Sequence, residues 1–161
     1  DSVKSFRGLH HRLERVATIG GVDFYDDSKG TNVGATIAAL EGIATQGARA
    51  GMHHPVILIA GGVGKGQDFA PLARPVREHA RMVCLIGEDA ERIEAAIAPS
   101  GVPTERFGSL EDAVARAAGA AREHEAVLLS PACASFDMFR DYKHRGEAFA
   151  AAVKTLEPSL G

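Results

Sequence analysis

Apolar positions along the chain follow two alternating rhythms. Val16, Thr18, Val22 and Phe24 recur at period two on either side of Gly20-Gly21, which predicts two short strands joined by a tight hairpin. From Val33 the period lengthens. Val33, Ile37, Leu40 and Ile43 form one helical stripe, with Thr31 or Asn32 as its N-cap. "PVILIAGG" (Pro55 to Gly62), "MVCLIG" (Met82 to Gly87) and "AVLLSP" (Ala126 to Pro131) are continuous apolar runs, the pattern of strands buried on both faces. Helical patches lie between and after them. One holds Leu72 and Val76 and is expected to bend near Pro75; a second holds Ile93 and Ile97. A third, capped by Ser109 with Asp112 loosely completing a capping box, holds Leu110, Val114, Ala117 and Ala121. Phe139, Tyr142, Phe149 and Val153 stripe the closing helix, and a short strand fits near Arg106-Phe107.

Strands alternating with helices of this length predict βαβ units. The fold class is α/β: a Rossmann-like, mainly parallel sheet with helices on both faces, and an N-terminal β-hairpin adding an antiparallel edge. No internal repeat or linker interrupts the pattern. The stretch from Gln46 to Pro55 has no periodicity and reads as the most irregular loop.

Composition narrows the function classes. At 161 residues, with 45% apolar and 24% charged residues, the chain can bury one complete core. Its formal charge of −3 is spread over interspersed signs, so no basic face points to nucleic acid or an anionic membrane. No apolar run approaches a spanning helix of roughly 20 residues, and a cytoplasmic setting is expected. Cys84 and Cys133 form no C-x-x-C, which argues against a disulfide framework or zinc knuckle. The chain opens on "DSVKSF", so a fragment of a longer protein is expected.

In an open parallel sheet, ligands sit at the carboxyl ends of the strands. The loops that matter are therefore "DDSKGTN" (Asp26 to Asn32), "GGVGKGQD" (Gly61 to Asp68), "GEDA" (Gly87 to Ala90) and "SPACASFD" (Ser130 to Asp137). "GGVGKGQD" is not a P-loop. Lys65 is followed by Gly66 rather than Ser or Thr, and Ile59 stands where the first glycine belongs. What it offers is one lysine on a close-approaching backbone, suited to a carboxylate or phosphate. In "SPACASFD", Ser135 is expected at the head of the last helix, where backbone N–H groups favour an anion. An N-cap role for the same serine is compatible with that. Cys133 has no histidine placed by sequence to activate it. The pairs His10-His11 and His53-His54 lack the spacing of a helical metal site, and no metal ligands are assigned.

"GLHHRLE", "DSKGTN", "GGVGKGQDF" and "LLSPACASFDMF", in that order and spacing, resemble the C-terminal domain of the Mur ligases, most narrowly the D-glutamate-adding branch. The resemblance spans essentially the whole chain. It implies that residues 1–161 form the amino-acid- and ATP-binding domain of a three-domain, ATP-dependent ligase of peptidoglycan synthesis. Such an enzyme joins D-glutamate to UDP-N-acetylmuramoyl-L-alanine through an acyl phosphate. The missing N-terminal and central domains would hold the uridine nucleotide, the P-loop and magnesium, and the fragment alone is expected to be inactive.

Residue by residue, the resemblance assigns Arg12 to the ATP phosphates, Asp27 to the ATP ribose and Lys29 to the same nucleotide site. It assigns Thr31, Lys65 and Ser135 to the D-glutamate carboxylates. Phe136 and Tyr142, which stand where the family uses Leu and Phe, are assigned to D-glutamate as well, contributing partly through backbone. No residue here need act as a nucleophile. The alternatives are a related amide ligase (folylpolyglutamate synthetase or another muramyl-peptide ligase) or a non-enzymatic, nucleotide-binding Rossmann-like module. "DSKGTN" argues against the first, and the absence of G-x-G-x-x-G after a first strand argues against a dinucleotide binder.

Overall fold

The computed structural model of the chain describes residues 13–49, 51 and 55–156. Strands β1 (Glu14–Ile19) and β2 (Val22–Asp26) form the expected antiparallel hairpin, with Gly20 and Gly21 at φ +58° and +79°. A two-residue turn with both central residues at positive φ matches strand twist, and glycine adopts it without steric penalty. The register shifts between Arg15 and Ala17. Because of that irregularity the inward set is Ile19, Val22 and Phe24, with Val16 half-buried, while Thr18 turns outward and its hydroxyl donates to Asp23.

The remaining elements alternate. They are α1 (Val33–Arg49), β3 (Val56–Gly61), α2 (Ala73–His79), β4 (Ala80–Ile86), α3 (Ala90–Ile97), β5 (Thr104–Arg106), α4 (Leu110–Ala120), β6 (Ala126–Leu129) and α5 (Tyr142–Lys154). The strands form one sheet of order β1-β2-β6-β3-β4-β5, parallel except for the hairpin. Residues alternate between its faces. Val56, Leu58 and Ala60 join Leu40, Ile43, Leu72, Val76 and Ile93 of α1–α3 and the preceding turn. Ile57 and Ile59 join Leu110, Val114, Phe149 and Val153 of α4 and α5. A central strand buried on both sides must be apolar throughout, which is why β3 reads as an unbroken run.

Three local expectations are corrected. Pro75 does not bend a helix. A 3₁₀ turn (Ala70–Leu72) runs into α2, and Pro75 falls in the first helical turn, where its missing N–H leaves no bond unmade. The stretch after Gln46 remains helical to Arg49, and residues 50 and 52–54 of the expected loop lie outside the described residues. The closing helix starts later than its apolar stripe suggested. Asp141 is its N-cap, accepting from His144 N at 2.8 Å, so Phe139 precedes the helix and Ser135 is not its cap.

Candidate functional site

Strand β6 lies between β2 and β3. Its chain continues to α5 on one face, whereas β2 and β3 lead to α1 and α2 on the other. Neighbouring strands whose connections leave toward opposite faces open a crevice at their carboxyl ends, the position where α/β proteins bind ligands. The loops carrying Asp27–Thr31, Lys65 and Ser135–Phe136 all start there.

These loops are bonded to one another through their backbones. Ala132 N donates to Gly30 O at 3.0 Å, and Gly61 N donates to Pro131 O at 3.0 Å. Val63 and Ala134 exchange two bonds of 2.9 Å each in an isolated antiparallel bridge. This bridge needs Gly62, which sits at φ +134° against the Ala134 carbonyl. An L side chain there would meet the backbone oxygen directly.

Within this frame the sequence-derived residues divide. Lys29, Thr31 and Lys65 are exposed, whereas Asp27 and Ser135 are buried. Asn32, not Thr31, caps α1, accepting from Ala35 N at 2.9 Å, and Thr31 is left facing solvent. Lys65 stands at φ +52° between glycines. The Asp27 carboxylate accepts from Leu13 N at 3.0 Å and from the Ser130 hydroxyl at 2.7 Å, an arrangement that fixes the β2 loop to the end of β6. Gly30 fits against that carboxylate, since a Cβ there would lie 2.6 Å from Asp27 Oδ2. Each lysine lies over an aromatic ring: Lys29 Nζ is 5.8 Å from the Tyr142 centroid and Lys65 Nζ 5.6 Å from that of Phe136. Such contacts favour a cation above the ring face. Phe136 is 66% exposed, unusual for a phenylalanine, and its ring lies beside the lysine rather than in the core. Arg12, His10, His11, His53 and His54 lie outside the described residues.

Four residues that sequence reasoning did not assign hold this arrangement. Arg145 is 1% exposed; Nη1 donates to Cys133 O at 3.0 Å and Nη2 to Ser28 O at 2.8 Å. Its Nε and the hydroxyl of Ser28 are buried without a hydrogen-bond partner among the described residues. Burial lowers the guanidinium pKa to about 10, with Cys133, Asp137 and Asp26 acting the other way. Asp137 accepts from Glu88 N at 2.7 Å and Asp89 from Gly64 N at 2.6 Å, tying the β4 loop to the loops after β6 and β3. Gln67 spans from its own loop to Val33 N and Ala132 O. One signal for Arg145 was in the sequence, since a charged residue four before Phe149 falls on the apolar stripe of α5.

The chemistry on offer is anion binding rather than nucleophilic attack. Burial pushes the Cys133 thiol up to about 12 and that of Cys84 up to about 11, so neither is a thiolate near neutrality. Both are free and buried. Among the described residues no group of three or more His, Cys, Asp or Glu side chains could hold a metal ion. No helix of the described residues is long and apolar enough to cross a membrane.

A doubly wound α/β domain whose strand-end loops present two exposed lysines is thus the class defined by fold and site. A family model described as "Mur ligase, glutamate ligase domain" matches residues 11–133, and the chain belongs to that family. The UDP-N-acetylmuramoylalanine--D-glutamate ligase of Nitrosospira multiformis is 56% identical over 156 residues, covering 97% of this chain and 31% of that protein. The enzyme of the same name from Bordetella pertussis is 55% identical over 160 residues, covering 99% and 30%. The chain therefore spans about a third of the length of the curated relatives it matches. Among solved structures, UDP-N-acetylmuramate-alanine ligase MurC from Thermotoga maritima superimposes with a TM-score of 0.65 at 13% identity, over 96% of this chain and 32% of that one. A bifunctional folylpolyglutamate synthase/dihydrofolate synthase from Yersinia pestis gives 0.58 at 15% identity, over 89% and 31%. Likeness at that identity establishes the shared fold.

Proposed function

We propose that this chain is the amino-acid- and nucleotide-binding domain of an ATP-dependent ligase that joins D-glutamate to UDP-N-acetylmuramoyl-L-alanine. The observation that carries the reading is the convergence of Lys65, Thr31 and Ser135 on loops bonded to one another at the β2/β6/β3 strand ends. High identity to ligases of that name supports the choice of amino acid.

In this reading the carboxylate of the acceptor attacks the γ-phosphorus of ATP, releasing ADP and forming an acyl phosphate. The unprotonated amine of D-glutamate attacks the acyl carbon, the C–O bond to phosphate breaks, inorganic phosphate leaves, and the amine proton passes to solvent. This chain's residues act by positioning and charge, the main levers in phosphoryl transfer. Lys65, with the Thr31 and Ser135 hydroxyls, grips the two carboxylates of D-glutamate and leaves its amine pointing at the acyl carbon. The Phe136 and Tyr142 rings hold the two lysines in place. Lys29 serves the ATP phosphates, a role shared in this reading with Arg12, which lies outside the described residues. Asp27, fixed by Leu13 and Ser130, adds a ribose hydroxyl to its donors. Magnesium belongs to the parts of the enzyme outside this chain, which sits in the cytoplasm with its nucleotide substrates.

The test is phosphate release by the full-length protein with ATP and UDP-N-acetylmuramoyl-L-alanine present. Turnover that requires D-glutamate, with none from residues 1–161 alone, is the expected result. Full-length turnover with another amino acid and not with D-glutamate would overturn the reading.

A further inference from the structure

Gln67 occupies an unusual place in the crevice. It lies two residues after Lys65, on the same loop. Its side-chain oxygen accepts from Val33 N at 3.1 Å, two residues after Thr31. Its side-chain nitrogen donates to Ala132 O at 2.7 Å, three residues before Ser135. Its own N–H donates to Gly64 O at 3.1 Å, closing the tight turn that carries Lys65 at φ +52°. Arg92 Nη2 donates to its carbonyl at 3.1 Å and braces the turn from α3.

The bonding pattern fixes the amide in one orientation. Val33 N is an unsatisfied donor at the start of α1 and requires an acceptor; Ala132 O is a carbonyl and requires a donor. An uncharged amide supplies one of each from a single planar group, which a carboxylate does not. Lysine 65 itself has four rotatable bonds and a left-handed backbone that L residues adopt reluctantly, so its position depends on what holds the turn.

We propose that Gln67 is a positioning residue for the amino-acid substrate: its amide sets the spacing between Lys65, Thr31 and Ser135, and so matches the crevice to an amino acid bearing two carboxylates. This inference rests on the reading above. Gln67 touches no substrate. It acts through the three loops that do, and the ATP-facing residues Asp27 and Lys29 are held by other contacts, to Leu13, Ser130 and Tyr142.

The test compares Gln67→Met and Gln67→Glu with the wild type in the full-length enzyme. Methionine keeps the length and removes both bonds. Glutamate keeps an acceptor for Val33 N but sets a carboxylate oxygen against the Ala132 carbonyl. The KM for D-glutamate is expected to rise about tenfold or more in both variants, with the KM for ATP within about twofold of wild type. Preference for D-glutamate over D-aspartate should narrow by a similar factor. An unchanged KM for D-glutamate overturns the proposal. So does a fall in kcat and melting temperature with every KM preserved, which marks a purely structural glutamine. Should Gln67→Met fail to fold, Gln67→Glu decides by the same criteria. A wild-type enzyme that turns over without D-glutamate refutes the underlying reading instead, and is recognised before any variant is compared.

Discussion

The guanidinium of Arg145 reaches the carbonyl of Ser28 at 2.8 Å across 117 residues of chain, and its other arm holds Cys133 O at 3.0 Å. A single buried cation thereby fixes the β2 loop to the β6 loop from beneath the crevice. Replacement by methionine fills part of the volume but strands two buried carbonyls. Unfolding free energy should drop by about 2–4 kcal/mol in denaturant titration. Arg145→Lys retains the charge without the fork and should recover less than half of that loss. A methionine variant as stable as wild type would show that the guanidinium is not what holds the loops together.

Removal of the exposed cation at the crevice should act on ligand rather than on fold. Under the proposed assignment, Lys65→Ala deletes a charge-assisted partner of a substrate carboxylate, a loss on the order of 1.5–3 kcal/mol. In steady-state kinetics of the full-length enzyme this appears as a KM for D-glutamate raised roughly 10- to 150-fold. If the KM for ATP rises and that for D-glutamate stays put, the lysine serves the nucleotide.

Gly62→Ala should be among the most damaging single-methyl additions in the domain. The residue stands at φ +134°, and its added Cβ would run into the Ala134 carbonyl oxygen, a backbone atom held by the Val63–Ala134 bridge. Relief requires separating the β3 and β6 loops. We expect roughly 2–4 kcal/mol of lost stability in denaturant titration together with a weakened response to D-glutamate. Gly20→Ala offers the control, because nothing lies within 4 Å of a Cβ built there and only the positive φ of +58° resists the change.

The two buried thiols predict an alkaline limb of instability. Burial holds Cys133 at about 12 and Cys84 at about 11 in the folded chain, against 9.0 for an ordinary thiol. A raised folded-state pKa means stability that is fully present below pH 9 and lost as pH climbs toward the folded value, since the unfolded chain ionises first. Each thiol should withdraw on the order of 1 kcal/mol between pH 8 and pH 10. Urea titrations at those two pH values measure the slope. Cys133→Ala should flatten it by half, and a slope unchanged in that variant would assign the limb to other groups.

The alternation of strands and helices was legible because β3, β4 and β6 are buried on both faces and each helix on one, leaving different periods in the sequence. The largely exposed β5 left only a faint mark. The Gly20-Gly21 hairpin was legible for the same local reason. The strand order was not. That Ala126–Leu129 pairs with both Asp23–Asp26 and Val56–Ile59 depends on contacts far apart in sequence that carry no local mark. Ser135 was placed correctly in the β6 loop yet taken for the head of α5. The loop winds through a further turn, in which Met138 N and Phe139 N donate to Ser135 O, before Asp141 caps the helix. Lys29, Thr31 and Lys65 stood out because small and charged residues clustered in loops. Gln67 acts through a backbone carbonyl and a backbone N–H, which every residue has, so no pattern of side chains announced it. Arg145 left one mark, a charge on the apolar stripe of α5 four residues before Phe149.

Because β6 is the last strand made and occupies the middle of the sheet, the order of synthesis opposes the order in space. A nascent chain ending before Ala126 holds the hairpin and the β3-β4-β5 block with nothing to join them. Each block exposes an unpaired apolar edge of the kind that invites association with other chains. Folding should therefore be late and all-or-none, governed by long-range pairing. A chain truncated there lacks the strand that joins the two halves of the crevice, and the edges that β6 would have covered stay open to other chains.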